Sequence, residues 1–348
     1  MTDRDDIGRS LFTDYLGLQD ELTEQELDYL ERTRRFVDHE VLPVIGDYWQ
    51  RAEFPFELIA KMAELGIVGD GIEGYGCPQM SPTASGLINM ELSRGDGSLG
   101  TFLGVQSGLA MRSIALLGSE TQKQRWLPGM AALEVIGAFA LTEPEHGSDS
   151  VGLEASLHRD GDAYVLSGRK RWIGNGSIAD VVVVWARDTE DGAVKGLLLE
   201  QGTPGFQAEV MQGKGSVRAV WQADLTFTDV RIPLENKLPG ANTFKDAGGD
   251  AGRGHRDAAV LPTAGQAARG RQADRHDLGP GEDEQHPQGP RGHRDGQGSA
   301  RWQRHPAGEP RDPAHGRHRG DLHLRGHRRH PDPHRRTGHH RYERLHLR

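Results

Sequence analysis

Residues 140–150 read ALTEPEHGSDS, a short apolar segment that stops in a loop of small and hydroxylated residues. Such a loop exposes backbone N–H groups and hydroxyl groups together, and these groups suit the polar edge of a ring or a phosphate. Further along the chain, residues 169–176 read RKRWIGNG and set a large aromatic ring between cations, before a glycine-bearing turn. An ordinary loop and a core aromatic residue would look the same, so neither segment alone identifies a site.

The sequence around these two segments changes its period at Val135. Turn signals, including Asp160-Gly161-Asp162 and Glu190-Asp191-Gly192, separate short runs of β-forming residues. The runs are 136–141, 152–157, 163–166, 181–186, 196–199 and 219–228. This pattern predicts a small antiparallel β domain, a barrel or a sandwich, over residues 134–245.

Before Val135 the pattern is helical. Thr23 with Glu26 forms one capping box that marks a helix start, and Ser119 with Gln122 forms another. Five helices are predicted: a long first helix from Thr23 through Val41, then 56–65, 83–94, 99–117 and 119–133. Five helices without an intervening strand make an all-α domain over residues 1–133, so the predicted fold class is α+β.

The last hundred residues have a different composition. Residues 251–348 contain 20 Arg and 14 His, no Lys, Ile, Phe or Met, and a single valine, Val260. Their 12 acidic residues leave a net charge of +8, so residues 1–250 carry -17 of the total of -9. A segment with almost no aliphatic residues cannot bury a helix face or offset its ordering entropy. We therefore predict disorder over residues 246–348.

Other features bear on compartment and ligands. The single cysteine, Cys77, allows no intramolecular disulfide, which suits a reducing cytoplasm. The N-terminus, Met1 to Ser10, is polar, and no apolar run approaches the ~20 residues that span a bilayer. His339-His340 and the scattered histidines lack metal-ligand spacing. The basic tail would bind polyanions in a salt-sensitive, sequence-blind way, so we predict no metal, no membrane span and no specific nucleic acid.

Segments 140–150 and 169–176 together resemble the flavin-binding signatures of the acyl-CoA dehydrogenases. Val105-Gln106-Ser107 and Gly118-Ser119-Glu120 are similar to the glutaryl-CoA dehydrogenase branch. The resemblance spans residues 20–244. It implies a helical domain, a β domain and a C-terminal four-helix domain, with FAD held between the last two and across a subunit contact of a homo-oligomer. The third domain is not recognisable in this chain, so a homo-oligomer is doubtful here.

The family pattern also implies which residues face the ligands. Thr142 would lie near the flavin pyrimidine edge, Trp172 against the isoalloxazine ring, and Gly174 on its N5 side. Ser148 would also face the acyl-CoA substrate. The full set of implied flavin contacts is Phe139, Ala140, Leu141, Thr142, Gly147, Ser148, Trp172, Ile173 and Gly174.

The implied reaction is the α,β-dehydrogenation of a fatty acyl-CoA thioester. A glutamate removes the α-proton, the β-hydrogen leaves as hydride to the flavin, and the electrons pass to an electron-transfer flavoprotein. Gly174 stands where most members place a threonine that bonds flavin N5, as in some acyl-CoA oxidase relatives, so an oxidase that uses oxygen stays open. Gly100 stands where the glutaryl enzyme has an arginine for the distal carboxylate, which disfavours glutaryl-CoA. His146 replaces a small residue, and we predict a structural role for it.

The tail composition also suggests a change of reading frame, because arginine without lysine is typical of a GC-rich gene read out of frame. With suitable wobble bases, reading one nucleotide later turns residues 324–341 into FEGTDDIQTLIVGRDIT, close to the family's C-terminal signature. The same offset turns 302–309 into GNGILLEN and 282–290 into KMNNTRKAR. We hypothesise that the frame is lost shortly after Lys245, with some residues missing, and that the codon of the base glutamate straddles those of Arg325 and Gly326. The chain would then be an inactive dehydrogenase relative, or a binder of FAD and acyl-CoA without turnover.

Overall fold

A computed structural model of the protein describes residues 18–248, which lie within one compact unit. A short helix, Phe244–Gly248, extends three residues past the predicted start of the tail, so the prediction of disorder is wrong for residues 246–248. The other predictions for the tail, including the codons of Arg325 and Gly326, lie outside the described residues. Helices are followed by a sheet, so the predicted α+β fold is confirmed. Within residues 18–248, no helix is long and apolar enough to cross a membrane.

The predicted long first helix is confirmed, with a wider turn inside it. After a 3-10 turn at Leu18–Glu21, Thr23 caps α1, Glu24–Phe36, through the predicted capping box. The helix continues through a π-helical segment, Val37–Val41, into α2, Leu42–Arg51.

The other predicted helices are present to within three residues at their ends, and the Ser119 capping box is confirmed. The run predicted at 99–117 contains a second π-helical segment, a feature that is frequent at functional sites. These elements are α3 Glu57–Glu64, α4 Pro82–Gly95, α5 Gly97–Leu103, the π-helical Gly104–Met111, α6 Arg112–Leu117 and α7 Glu120–Ala131.

Seven strands follow within the described residues. They are β1 Gly137–Ala140, β2 Ser156–Asp160, β3 Ala163–Gly174, β4 Val181–Asp188, β5 Val194–Glu200, β6 Phe206–Val210 and β7 Gln222–Pro233. Short 3-10 turns lie at Ser150–Gly152 and Leu234–Asn236, and α8 is the helix Phe244–Gly248.

The sheet is mixed, which corrects the prediction of an antiparallel domain. Strand β4 pairs antiparallel with β5 along one edge. Along its other edge it pairs parallel first with β1 and then with β2. The order continues antiparallel through β3, β7 and β6. Strand β1 is followed by a long loop instead of a hairpin turn, so its partner is distant in sequence and a local pattern does not reveal it.

Three strand predictions also need correction, and one strand was missed. The run predicted at 219–228 is β7, which begins only at Gln222 and continues to Pro233. The run predicted at 152–157 begins with a 3-10 turn, so β2 starts only at Ser156. The run predicted at 163–166 continues to Gly174, which places the whole RKRWIG segment on β3 rather than in a turn. Strand β6 was not predicted.

Strand β4 separates two cores. Val181, Val183 and Trp185 belong to the core that fills the helical part. The alternate residues Val182 and Val184 belong to a second core inside the sheet. Because successive side chains of a strand point to opposite faces, both faces of β4 are buried.

Candidate functional site

The structure brings the two motif segments together. The main chain that leaves β1 runs beside the second half of β3. The Arg171 amide donates to the Thr142 carbonyl (2.8 Å) and Lys170 Nζ donates to the Leu141 carbonyl (2.9 Å). The segment that connects β1 to β2, residues 141–155, is called the β1–β2 loop from here on.

A buried ion pair joins this loop to β3. Lys170 Nζ lies 2.8 Å from Glu143 Oε1, and the two side chains are 0% and 5% exposed. Burial lowers the pKa of Lys170 to about 8, although Glu143 partly offsets the effect. Burial raises the pKa of Glu143, but hydrogen bonds from the Glu154 amide, from Lys170 and from the Ala155 amide outweigh it, and the net pKa is below the ordinary value.

The middle of the β1–β2 loop faces solvent. Gly147 and Ser148 are exposed, and a Cβ atom built on Gly147 would meet no atom within 4 Å. Arg187 Nη2 donates to the Val151 carbonyl (2.7 Å) near the end of the loop. His146, predicted to be structural, has Nε2 at 3.3 Å from Glu154 Oε1, beside the loop's own backbone.

A β-bulge presents Trp172. Between Lys170 and Ile173, strand β3 has one more residue than β7, and Trp172 takes a left-handed backbone conformation with φ +63°. Bulges re-aim side chains, and here the indole is 51% exposed although Lys170 and Ile173 on the same strand are buried. The Arg171 guanidinium lies 5.7 Å from the centre of the ring.

The other predicted contacts lie at or below this surface. Phe139, Leu141 and Thr142 are half-buried, and the Phe139 ring packs 6.1 Å from that of Trp185. Ala140 and Ile173 are in the core of the sheet, so only their backbone could meet a ligand. Gly174 is buried against the helical part, where a Cβ atom would lie 2.8 Å from Val105 Cγ2.

Gln106, next to Val105, ties the π-helical segment to the sheet. Its Nε2 donates to the carbonyls of Met130 (3.0 Å) and Val135 (2.9 Å), and its Oε1 accepts from the Gly137 amide (2.7 Å). The side chain is 0% exposed. This contact fixes the helical segment relative to the start of β1, which leads to the β1–β2 loop.

Sequence reasoning missed Glu143, Lys170 and Val105 as residues that shape the site. A lysine inside a strand and a carboxylate inside a polar loop gave only a weak signal, because the contact that pairs them joins residues 27 positions apart in the chain. Gln106 belongs to a motif that resembles the family, but the motif does not indicate its contacts to the sheet.

This arrangement fits a planar, polar-edged ring with a phosphate. The exposed Trp172 indole offers a ring face, and the loop offers the Thr142 hydroxyl at one end and the Gly147 and Ser148 amides further along. Residues 18–248 contain no group of three or more His, Cys, Asp or Glu residues that could hold a metal ion. Glu143 accepts three hydrogen bonds already, so it is poorly suited to accept a substrate proton.

Two family models match the chain: "Acyl-CoA dehydrogenase, N-terminal domain" at residues 23–134 and "Acyl-CoA dehydrogenase, middle domain" at residues 138–230. Together they span more than half of the chain. A "Probable acyl-CoA dehydrogenase" of Bacillus subtilis is 32% identical over 246 residues, which is 70% of this chain and 39% of the relative. The chain spans about half the length of the curated relatives it matches.

Solved structures are similar over the same region. A glutaryl-CoA dehydrogenase from Mycobacterium smegmatis superposes with a TM-score of 0.66 and 39% identity, over 70% of this chain and 61% of that one. A glutaryl-CoA dehydrogenase from the same organism, in complex with FADH2, gives a TM-score of 0.66 and 37% identity, over 71% and 64%.

Proposed function

The chain belongs to the acyl-CoA dehydrogenase family, and on that premise we propose that it forms the flavin-facing and acyl-CoA-facing surfaces of a FAD-dependent α,β-dehydrogenase. The observation that carries the proposal is the meeting of the β1–β2 loop with the β3 bulge that exposes Trp172. FAD, when bound, supplies the acceptor for the β-hydrogen of the substrate, which leaves as hydride.

The chain's own residues bind and orient the ligands. The Trp172 indole supports one face of the ring system. The Thr142 carbonyl is engaged by the Arg171 amide, so the Thr142 hydroxyl is the group offered to the polar edge of the ring. Ser148 and the amide of Gly147, exposed on the loop, meet phosphate or thioester-side groups of FAD and acyl-CoA.

The packing around Gly100 supports an unsubstituted fatty acyl chain as substrate. A Cβ atom on Gly100 would collide with Ser93 Oγ of α4. Any side chain there, such as an arginine to pair with a distal carboxylate, would require the Ser93 hydroxyl to move, and glycine leaves the position without a cation. Because a buried carboxylate needs a partner, we propose a fatty acyl-CoA and not glutaryl-CoA.

Gly174 bears on the electron acceptor. No side-chain hydroxyl is present at this position, and Val105 fills the adjoining space. We propose that the electrons pass to an electron-transfer flavoprotein. The alternative is an oxidase, in which oxygen accepts the electrons. Reoxidation of the reduced protein in air-saturated buffer, compared with anaerobic buffer plus an artificial electron acceptor, separates the two.

The general base is the group that this sequence lacks in our proposal. We propose that its glutamate belongs to the out-of-frame segment around Arg325 and Gly326. A protein with this sequence would then bind FAD and acyl-CoA without turnover, in a reducing, cytoplasmic setting. Sequencing the gene from the codon of Leu238 to the stop tests this. A continuous frame into FEGTDD would give an active dehydrogenase, and a confirmed frame as printed would give a binder.

Protein expressed from the printed frame gives the second test. After gel filtration we expect it to retain flavin absorbance, with no bleaching when butyryl-CoA is added. Bleaching would overturn the assignment of a non-catalytic binder. Loss of all flavin, with no rebinding of added FAD, would overturn the proposed function.

A further inference from the structure

One buried ion pair fixes both ends of the β1–β2 loop. At the first end, Lys170 Nζ donates to the Leu141 carbonyl at 2.9 Å. At the second end, the Glu143 carboxylate accepts from the amides of Glu154 (2.6 Å) and Ala155 (2.9 Å). The 2.8 Å contact between Lys170 and Glu143 joins the two ends inside the protein.

Packing does not fix the middle of the same loop. Pro144, Glu145 and residues 147–149 are exposed. Arg187 supports the loop near its second end through the Val151 carbonyl. Contacts within the loop tie His146 to the two ends, because the Glu143 amide donates to the His146 carbonyl (3.2 Å) and His146 Nε2 lies 3.3 Å from Glu154 Oε1. The position of Ser148 therefore follows from where the two ends are held.

Stability by itself does not explain why this buried ion pair is present. Replacing a buried ion pair with apolar residues of similar volume is often neutral or stabilising, because burial removes both charges from water. An ionised pair with fixed hydrogen bonds instead defines the geometry of the groups around it, as supporting residues do for binding sites.

Resting on the proposed function, we propose that the Lys170–Glu143 pair is the positioning element for the FAD and acyl-CoA contacts of the β1–β2 loop. Both members are buried, with side chains 0% and 5% exposed. They act by setting where Leu141 and Thr142 lie relative to the exposed segment that carries Ser148.

The test compares Lys170→Met with Lys195→Met in the full-length protein without FAD. Lys195 pairs with the buried Asp188 on the β4–β5 hairpin. Among the contacts that the structure describes, it touches no residue of the β1–β2 loop. Lys195→Met is therefore a matched control, since it also removes a lysine from a buried carboxylate. Two quantities are measured: amide hydrogen exchange of residues 144–153, and the FAD dissociation constant from flavin fluorescence. We expect Lys170→Met to raise both by about tenfold or more, the scale seen when supporting residues of a site are removed. We expect Lys195→Met to lower the melting temperature and leave both quantities within about threefold.

A second variant keeps the test decisive if Lys170→Met folds poorly. Lys170→Met with Glu143→Gln removes the lone buried carboxylate, so it should regain stability while loop exchange stays fast and FAD affinity stays low. Wild-type loop exchange and FAD affinity in either Lys170 variant would overturn the inference alone. If the wild-type protein binds no FAD, the proposed function is overturned, and so is the part of the inference that concerns FAD. The hydrogen-exchange data would still test whether the ion pair holds the loop.

Discussion

Val105 occupies the space that a side chain on Gly174 would need. Its Cγ2 atom lies 2.8 Å from the ideal Cβ position of residue 174, well inside van der Waals contact. Val105 belongs to the π-helical segment and Gly174 ends β3, so this contact packs the helical part against the sheet at the candidate site.

Restoring threonine at position 174 should therefore destabilise the protein. We expect Gly174→Thr to lower the free energy of unfolding by about 1–3 kcal/mol, the usual range for overpacking. Urea denaturation followed by circular dichroism measures it. Val105→Ala with Gly174→Thr should recover much of the loss, since residues in contact are coupled. Additive losses in the double variant would show that the two residues do not compete for space.

Gln106 should contribute strongly to stability. Gln106→Leu leaves the Gly137 amide and the carbonyls of Met130 and Val135 without their partner. Each buried unsatisfied group costs about 1–3 kcal/mol, so we expect a loss of about 3 kcal/mol or more in urea denaturation. Gln124→Leu, at an exposed position of α7, is the control and should change the free energy of unfolding by less than about 0.5 kcal/mol. Equal effects of the two substitutions would contradict the prediction.

The backbone of Trp172 should favour glycine once the indole is removed. In protein without FAD, we expect Trp172→Gly to be more stable than Trp172→Ala by about 1 kcal/mol, because φ is +63°. Both variants should lose FAD affinity. At Trp49, inside α2, the order should reverse, with glycine less stable than alanine by about 1 kcal/mol. Chemical denaturation of the four variants measures these differences in the free energy of unfolding. The same order of stability of glycine and alanine at both positions would contradict the bulge geometry.

Glu143 should make stability sensitive to acid. Its folded-state pKa lies below the ordinary value of 4.5, so the stabilisation is complete above that value and is lost as the pH falls through the lower folded-state pKa. The difference in unfolding free energy between wild type and Glu143→Gln should therefore shrink as the pH falls below about 5. Urea denaturation at a series of pH values measures the difference. A difference that does not change with pH would mean that Glu143 is not ionised in the folded protein.

Local signals predicted the helices well. The capping boxes at Thr23 and Ser119 are complete within four residues, and the structure has both. Strand partners were harder, because β1 pairs with β4 across the sequence of β2 and β3. Strand β6 was missed since its residues 206–210 are all at least partly exposed and alternate weakly.

The sequence predicted the two segments that form the site, but not how they are arranged relative to each other. The motifs pointed to Thr142, Ser148 and Trp172 as surface groups that could meet a ligand. They could not show that Lys170, between two arginines on β3, turns inward to Glu143. Contacts of this kind join residues far apart in the chain, so periodicity and spacing carry no trace of them.

The pairing of β1 with β4 has a consequence for synthesis on the ribosome. Asp180, which accepts from the Ile136 amide, lies 44 residues further along the chain. Strand β1 therefore emerges from the exit tunnel well before its partner, and its hydrogen-bonding edge stays open for that interval. Chains halted before Val181 would expose that edge to other nascent chains, so aggregation competes with folding during this stretch of translation.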